Sequence, residues 1–254
     1  MSSLVAFLLP FLGTAAGSFS AFFMKNTLSR KTEKLLTGFA SGVMIAASVW
    51  SLLIPAIEMN SGSPLAWAEA AAGFIAGIVV LMLLKKLVCA KESAITDSES
   101  AFSKMLLLFL AITVHNFPEG MAVGVMLAAL IEGVPGITAS QVISLAVGIA
   151  VQNFPEGAII SMPLKSRGVS KPKAFAAGVL SGTVEPLGVL LTLLLADIAR
   201  GILPFLLSFA AGAMVHVVVD ELIPDSRNES EKNTVTAGFA AGFTLMMVLD
   251  VALG

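Results

Sequence analysis

The sequence is poor in charge and almost without cysteine, histidine and tyrosine. Only 13% of its 254 residues are charged and 57% are hydrophobic, whereas soluble domains carry about 25% charged residues. The single cysteine, Cys89, excludes an internal disulfide, a cysteine-rich zinc site and a CxxC redox pair. Two histidines, His115 and His216, are too few for a histidine-rich metal site. No basic run indicates a nucleic-acid partner. The composition instead points to the lipid bilayer as the solvent.

Long apolar segments account for most of the chain. A helix needs about 20 mostly apolar residues to cross the hydrocarbon core, and the mean hydropathy is +0.93. We predict an all-α integral membrane protein with a single transmembrane domain over residues 1–254 and a first span that is retained. Its eight spans are predicted at 3–24, 36–58, 65–88, 105–130, 140–163, 173–197, 202–224 and 234–253. The longest connection is a polar cytoplasmic loop at 89–104.

Lysine and arginine fall on one side of this arrangement. Of the 15 basic residues, only Arg200 lies in a connection that follows an even-numbered span. The others lie in or beside the connections after spans 1, 3, 5 and 7. Cytoplasmic connections of membrane proteins carry an excess of basic residues. We therefore predict a multi-pass protein of the cell membrane whose two termini both face the outside.

Polar side chains occur in three spans where the bilayer should exclude them. A carboxylate at the bilayer centre costs at least about 2.5 kcal/mol. Residues three or four positions apart share one face of a helix, and the polar residues of spans 4 and 5 have that spacing. The set comprises His115, Asn116 and Glu119 on span 4, Gln152, Asn153 and Glu156 on span 5, and Glu185 on span 6. Because each group falls near the middle of its span, the three groups can form one multidentate site.

The same segments carry prolines, since the sequence NFPEG occurs once in span 4 and once in span 5. Pro118 and Pro155 lack an N–H, so the carbonyls of Val114 and Val151 lose their helical donors. In a membrane such backbone is tolerated only where it faces protein or a hydrated cavity. A lone proline would indicate no more than a kink, but two copies beside carboxylates indicate kinked helices at a transporter binding site.

The types of ligand favour a divalent cation. Imidazole suits zinc and iron, while carboxylate and amide oxygens accept zinc, iron, manganese or cadmium. The absence of thiolates argues against a tight structural zinc site. Oxygen-rich coordination suits an ion that must bind and then leave again. We therefore expect the metal to be a transported substrate, with no metal as a true cofactor.

Other acids, and the second histidine, lie nearer to helix ends. His216, Asp220 and Glu221 lie toward the cytoplasmic end of span 7. They are either a relay on the exit path of the metal or a hydrogen-bonded pair beside a solvated acid. Glu58 ends span 2 on the outside and either attracts cations or is merely solvated. Asp250, near the end of span 8, is predicted to be solvated.

Three of the GxxxG pairs in the sequence predict close helix packing. The pattern alone does not separate contacts within one protomer from contacts across a homodimer. The pairs are Gly13 and Gly17, Gly73 and Gly77, and Gly238 and Gly242.

HNFPEG at 115–120, QNFPEG at 152–157 and a lone glutamate before a proline in span 6 resemble the ZIP (Zrt/Irt-like protein) family, most of all its bacterial GufA-like branch. The resemblance covers the whole chain. It implies a transporter rather than an enzyme, built from eight helices in a 3+2+3 arrangement with spans 1–3 and 6–8 as inverted repeats. SLLIP at 51–55 and DELIP at 220–224 echo that repeat. It also implies that spans 1, 4, 5 and 6 slide as a bundle against the rest.

The resemblance further implies a binuclear site that moves divalent metals into the cytoplasm, zinc above all, and also iron, manganese, cadmium or cobalt. One metal would be bound by His115, Glu119, Gln152 and Glu156. The second would be bound by Asn116, Asn153 and Glu185, with Glu119 and Glu156 bridging the two.

Two features depart from the family pattern. The loop after span 3 has no histidine, so metal sensing by that loop is not expected. Gln152 stands where relatives have histidine, which shifts the site toward oxygen donors and toward broader selectivity.

Two other functions stay open. An intramembrane metal-dependent hydrolase would need an activated water, although HExxH and a Ser–His pair are absent. A metal/proton exchanger would carry its proton on a midplane glutamate.

Overall fold

Apolar runs of this length leave the backbone one way to satisfy its N–H and C=O groups in lipid, which is to form helices. A computed structural model describes residues 2–23, 29–59, 64–93, 101–166, 168–199, 202–222 and 229–253. Within these ranges the chain is helical apart from short turns, and it forms no strand. The all-α fold predicted from composition is confirmed.

Helical spans follow one another in the predicted order. In the described part of the chain, seven are long and apolar enough to cross a membrane, and span 4 is a further helix of 31 residues. Spans 1, 3, 4, 5 and 8 are the α-helices Ser2–Phe19, Ala66–Ser93, Ala101–Ile131, Ala139–Ser166 and Glu229–Leu253. Span 2 joins Arg30–Ala47 to Ile54–Met59 through a π-helical turn, Ser48–Leu53. Span 6 consists of Lys171–Gly182 and Val184–Ala199. Span 7 is Leu203–Val217, and a π-helical turn, Val218–Leu222, follows it.

The predicted loop at 89–104 is too long. The helix of span 3 continues to Ser93, and the helix of span 4 already begins at Ala101. Alanine, lysine and glutamate are strong helix formers, and Ala90, Lys91 and Glu92 extend span 3 beyond its apolar part. The polar residues after span 3 therefore predicted where its apolar segment ends, but the helix itself continues beyond that point.

Span 6 has a break in its regular helix, which the sequence did not predict. Helix continues without interruption through Pro118 and Pro155. In span 6 the regular helix stops at Gly182 and resumes at Val184, with the N–H of Thr183 bonded to the Leu180 carbonyl at 3.2 Å. The next proline, at position 186, lacks the N–H that would bond the carbonyl of Gly182. The break therefore lies at Thr183, two residues before Glu185.

The spans pack closely in four parallel pairs, which are 1 with 5, 4 with 6, 2 with 8 and 3 with 7. Exchanging spans 1, 2 and 3 for spans 6, 7 and 8, and span 4 for span 5, maps this set of pairs onto itself. The π-helical turns obey the same exchange, since they lie in spans 2 and 7, each followed by an Ile-Pro step. The helix pairing thus has the symmetry of two inverted repeats around two central spans, as predicted.

Glycines allow these pairs to approach. A Cβ on Gly13 or Gly17 would overlap the backbone of Ala150 or Phe154 in span 5. The other two pairs are used in the same way. Gly73 and Gly77 lie on Phe205 and Phe209 of span 7, and Gly238 and Gly242 lie on Leu35 and Phe39 of span 2. These three GxxxG pairs are used within the protomer, so they give no support to a homodimer.

Candidate metal centre

Spans 4, 5 and 6 bring most of the predicted midplane residues into one buried region. Six of the seven predicted ligand side chains are buried, and only Glu156 retains measurable exposure, at 8%. They are Asn116, Glu119, Gln152, Asn153, Glu156 and Glu185. The side chain of the seventh, His115, lies outside the described part of the structure. Burial of so many polar groups in an apolar bundle requires a compensating interaction.

Close backbone packing sets the positions of the acids. A Cβ on Gly120 would overlap the carbonyl of Glu185, and a Cβ on Gly188 would lie 2.8 Å from the carbonyl oxygen of Phe117. Glycine at these positions lets spans 4 and 6 touch backbone to backbone. Gly157 does the same for spans 5 and 1, where it lies against Thr14. The acids therefore extend from helices held at minimal separation.

Hydrogen bonds hold one oxygen of each of two carboxylates. Oε1 of Glu119 accepts a bond from Nε2 of Gln152 at 2.6 Å, which links span 4 to span 5. Oε1 of Glu185 accepts two bonds, from Nδ2 of Asn116 at 3.1 Å and from Oγ1 of Thr14 at 2.7 Å. Nδ2 of Asn153 donates to the carbonyl of Pro10 in span 1 at 3.4 Å. The amide nitrogens are thus committed as donors to carboxylates or backbone.

The second oxygen of each of these carboxylates, and the oxygens of the amides, have no hydrogen-bond partner among the described residues. Five of the predicted ligand side chains each have one such buried oxygen atom. They are Oδ1 of Asn116, Oε2 of Glu119, Oε1 of Gln152, Oδ1 of Asn153 and Oε2 of Glu185. A buried acceptor without a partner costs about 1–3 kcal/mol, and a bound cation would remove that cost by taking the lone pairs. The donor set fits a hard or borderline divalent ion.

Electrostatics favour the same kind of ligand. Glu119 interacts with the charges of Glu156 and Glu185, and Glu185 interacts with Glu156. Among the described side chains, Glu119 and Glu185 have amides and one hydroxyl as their other polar partners. Like charges repel strongly in a low-dielectric interior. A cation would relieve this repulsion and an anion would increase it.

Carboxylates alone do not complete a metal cage here. Among the described residues, no three carboxylate, imidazole or thiol groups converge closely enough to hold a metal ion. The oxygens of Asn116, Gln152 and Asn153 that lack hydrogen-bond partners are available to a cation beside the carboxylates.

The residues predicted on the outer and inner paths lie at helix ends. Glu58 is exposed in the last turn of span 2. His216 is half-buried in span 7 and Asp220 is exposed in the π-helical turn that follows. The side chain of Glu221 is outside the described part. A π-helical turn begins between His216 and Asp220, so residues four positions apart here do not lie on one face as they would in a regular α-helix. The metal relay stays a prediction.

Two contributions were missed from the sequence. Thr14 of span 1 reaches Glu185, although a single threonine in an apolar helix gives no signal of its own. Asp250 was expected to be solvated, but it accepts hydrogen bonds from Ser51 at 2.8 Å and from Ser144 at 3.2 Å. It therefore joins spans 2, 5 and 8, a role that required the helix pairing to be known.

Helices long and apolar enough to cross a membrane, packed around a buried centre of carboxylate and amide groups, are the architecture of a multi-pass membrane protein of the transporter class. The model of the ZIP zinc transporter family matches residues 89–250. The chain is 36% identical to zinc transporter ZIP11 of Xenopus tropicalis, over 100% of this chain and 98% of that protein. It is 36% identical to zinc transporter GufA of Myxococcus xanthus, over 100% and 99%. It is 35% identical to zinc transporter ZIPB of Bordetella bronchiseptica, over 96% and 79%.

The chain belongs to the ZIP family. The family resemblance inferred from the two NFPEG motifs is thereby confirmed. The family is named for transport rather than catalysis, so the chain is a transporter and the hydrolase alternative is not favoured.

Proposed function

We propose that the protein carries divalent metal cations, zinc above all, across the cell membrane into the cytoplasm through the midplane centre of spans 4, 5 and 6. The observation that carries this proposal is the set of five buried oxygens without hydrogen-bond partners beside a group of interacting carboxylates. The transported metal is the substrate, and no resident metal is needed.

The proposed assignment has two metal positions. His115, Glu119, Gln152 and Glu156 bind the first metal. Asn116, Asn153 and Glu185 bind the second, with Glu119 and Glu156 bridging. The bond from Gln152 to Glu119 supports the first set, and the bond from Asn116 to Glu185 supports the second.

The proposed direction follows from the basic connections. Arg30, after span 1, pairs with Glu231 at the start of span 8 at 2.8 Å. Lys171, after span 5, donates to the carbonyl of Phe22 at the end of span 1 at 3.0 Å. These contacts bring the basic connections to one side of the bundle. We assign that side to the cytoplasm because basic residues concentrate there, which leaves both termini outside.

Zinc uptake into reconstituted vesicles tests the function. Glu119→Gln and Glu156→Gln keep the size of each side chain but remove its charge, so we expect zinc uptake to be abolished while membrane insertion persists. Glu33→Gln is the matched control, since Glu33 is exposed in the first turn of span 2, and it should leave uptake unchanged. Normal uptake in both midplane variants would refute the proposal. Recording the internal pH of the same vesicles separates uniport from metal/proton exchange.

A further inference from the structure

Thr14 lies in the middle of span 1, a helix to which the sequence assigns no metal ligand. Its side chain is fully buried, and its hydroxyl donates to Oε1 of Glu185 at 2.7 Å, across 171 positions of sequence. The contact is possible because Gly157 and Gly182 let span 1 approach spans 5 and 6 at this height. Thr14 thus gives span 1 a side-chain contact with the metal centre.

Some buried hydroxyls in the bundle bond their own helix, and others, such as Ser51 and Ser144 with Asp250, bond a carboxylate on another helix. Serine and threonine in helices commonly donate to the carbonyl four residues earlier. Ser18, Ser48 and Thr192 do so, with bonds of 2.7–2.8 Å to the carbonyls of Thr14, Met44 and Gly188. A hydroxyl has one proton to give, and Thr14 gives it to a carboxylate on another helix.

The bond determines which oxygen of Glu185 is left for the metal. Thr14 and Asn116 both donate to Oε1, and Oε2 has no hydrogen-bond partner among the described residues. The carboxylate is therefore held by one oxygen and presents the other. Hydrogen bonds of this kind orient metal ligands, and their loss typically lowers metal affinity or activity by about 10- to 100-fold.

We propose that Thr14 is a positioning residue of the metal centre, and that its hydroxyl holds Glu185 so that Oε2 is available to the transported ion. The inference rests on the proposed function. It predicts that removing the hydroxyl weakens zinc binding, while removing only the methyl group of Thr14 does not.

Two matched pairs of variants test the proposal. Thr14→Val keeps the shape that packs on Gly182 and loses the hydroxyl, whereas Thr14→Ser keeps the hydroxyl. We expect Thr14→Val to raise the KM for zinc uptake about 10-fold and to weaken equilibrium zinc binding equally, with Thr14→Ser within about 2-fold of the parent. If Thr14→Val does not fold, Thr14→Ser against Thr14→Ala makes the same comparison, since both lack the methyl group. Thr192→Val is the control, because the Thr192 hydroxyl bonds only its own helix at Gly188, and it should leave both quantities unchanged.

Parental KM and zinc affinity in Thr14→Val, or equal impairment of the serine variant and the hydroxyl-free variants, would overturn the proposal. The proposed function would still stand after either result, provided that the parent takes up zinc and Glu119→Gln does not. Failure of the parent to take up zinc would instead count against the function itself.

Discussion

Replacing Gly120 with alanine should damage the metal centre without removing any ligand. Gly120 lies where spans 4 and 6 touch. A Cβ added there would stand 2.8 Å from Cα of Glu185 and would overlap its carbonyl oxygen, whereas ordinary contacts are 3.4–4 Å. The two helices must therefore separate locally by roughly 0.6 Å or more to reach ordinary carbon–carbon contact.

A displacement of that size matters because metal–ligand distances are held within about 0.2 Å. Glu185 would move away from Asn116 on span 4, whose amide holds its carboxylate. Misplacement of a reacting group by about 1 Å can cost about 100-fold in rate. We therefore expect zinc uptake by Gly120→Ala to fall between about 10- and 100-fold. Overpacking of this kind also costs about 1–3 kcal/mol in stability.

Gly77→Ala separates the two effects. A Cβ on Gly77 would overlap the carbonyl of Phe209, so the clash is of the same kind, but it lies between spans 3 and 7. Both variants should lose similar thermal stability in detergent, and only Gly120→Ala should lose zinc uptake in vesicles. Equal uptake by the two variants, at equal amounts of folded protein, would refute the link between helix separation and metal binding.

Three further predictions concern selectivity, stability and topology. Gln152→His adds an imidazole to an oxygen-rich site, so competition uptake assays should show a stronger preference for zinc over manganese; an unchanged preference would exclude this position from the coordination sphere. Arg30→Ala removes an exposed ion pair and should lower the free energy of unfolding by less than about 1 kcal/mol; a larger loss in denaturation experiments would show that the pair belongs to a wider network. In a Cys89→Ser background, a membrane-impermeant thiol reagent should label Ser140→Cys but not Ser170→Cys in intact cells, and the opposite pattern would invert the assigned orientation.

Much of the fold could be predicted from the sequence because lipid imposes simple rules. Hydropathy predicted eight spans, and the described part of the chain has seven helices long and apolar enough to cross a membrane beside the 31-residue helix of span 4. The cost of buried carboxylates identified Glu119, Glu156 and Glu185 as a group before any contact was known. The GxxxG pairs indicated close packing, but glycine carries no information on its partner, so only the structure assigned Gly13 and Gly17 to span 5.

Other features could not be predicted because they depend on long-range contacts or on local backbone geometry. Thr14 lies in an apolar helix as Thr192 does, which bonds its own helix at Gly188, and only the approach of span 6 makes Thr14 a partner of Glu185. Prolines predicted kinks in spans 4 and 5, where the helix continues through Pro118, whereas the regular helix of span 6 is interrupted at Thr183. Proline sets where a hydrogen bond is lost, and the surrounding packing decides whether the helix breaks.

X-ray absorption at the zinc edge, measured on purified protein loaded with zinc, tests whether the midplane carboxylates bind the metal. We expect a first shell of oxygen and nitrogen ligands at about 2.0–2.2 Å in the parent and in Glu33→Gln. In Glu119→Gln that shell should be lost or strongly reduced. A sulfur shell at about 2.3 Å, or a spectrum that Glu119→Gln leaves unchanged, would contradict the assignment of the transported metal to the midplane carboxylates.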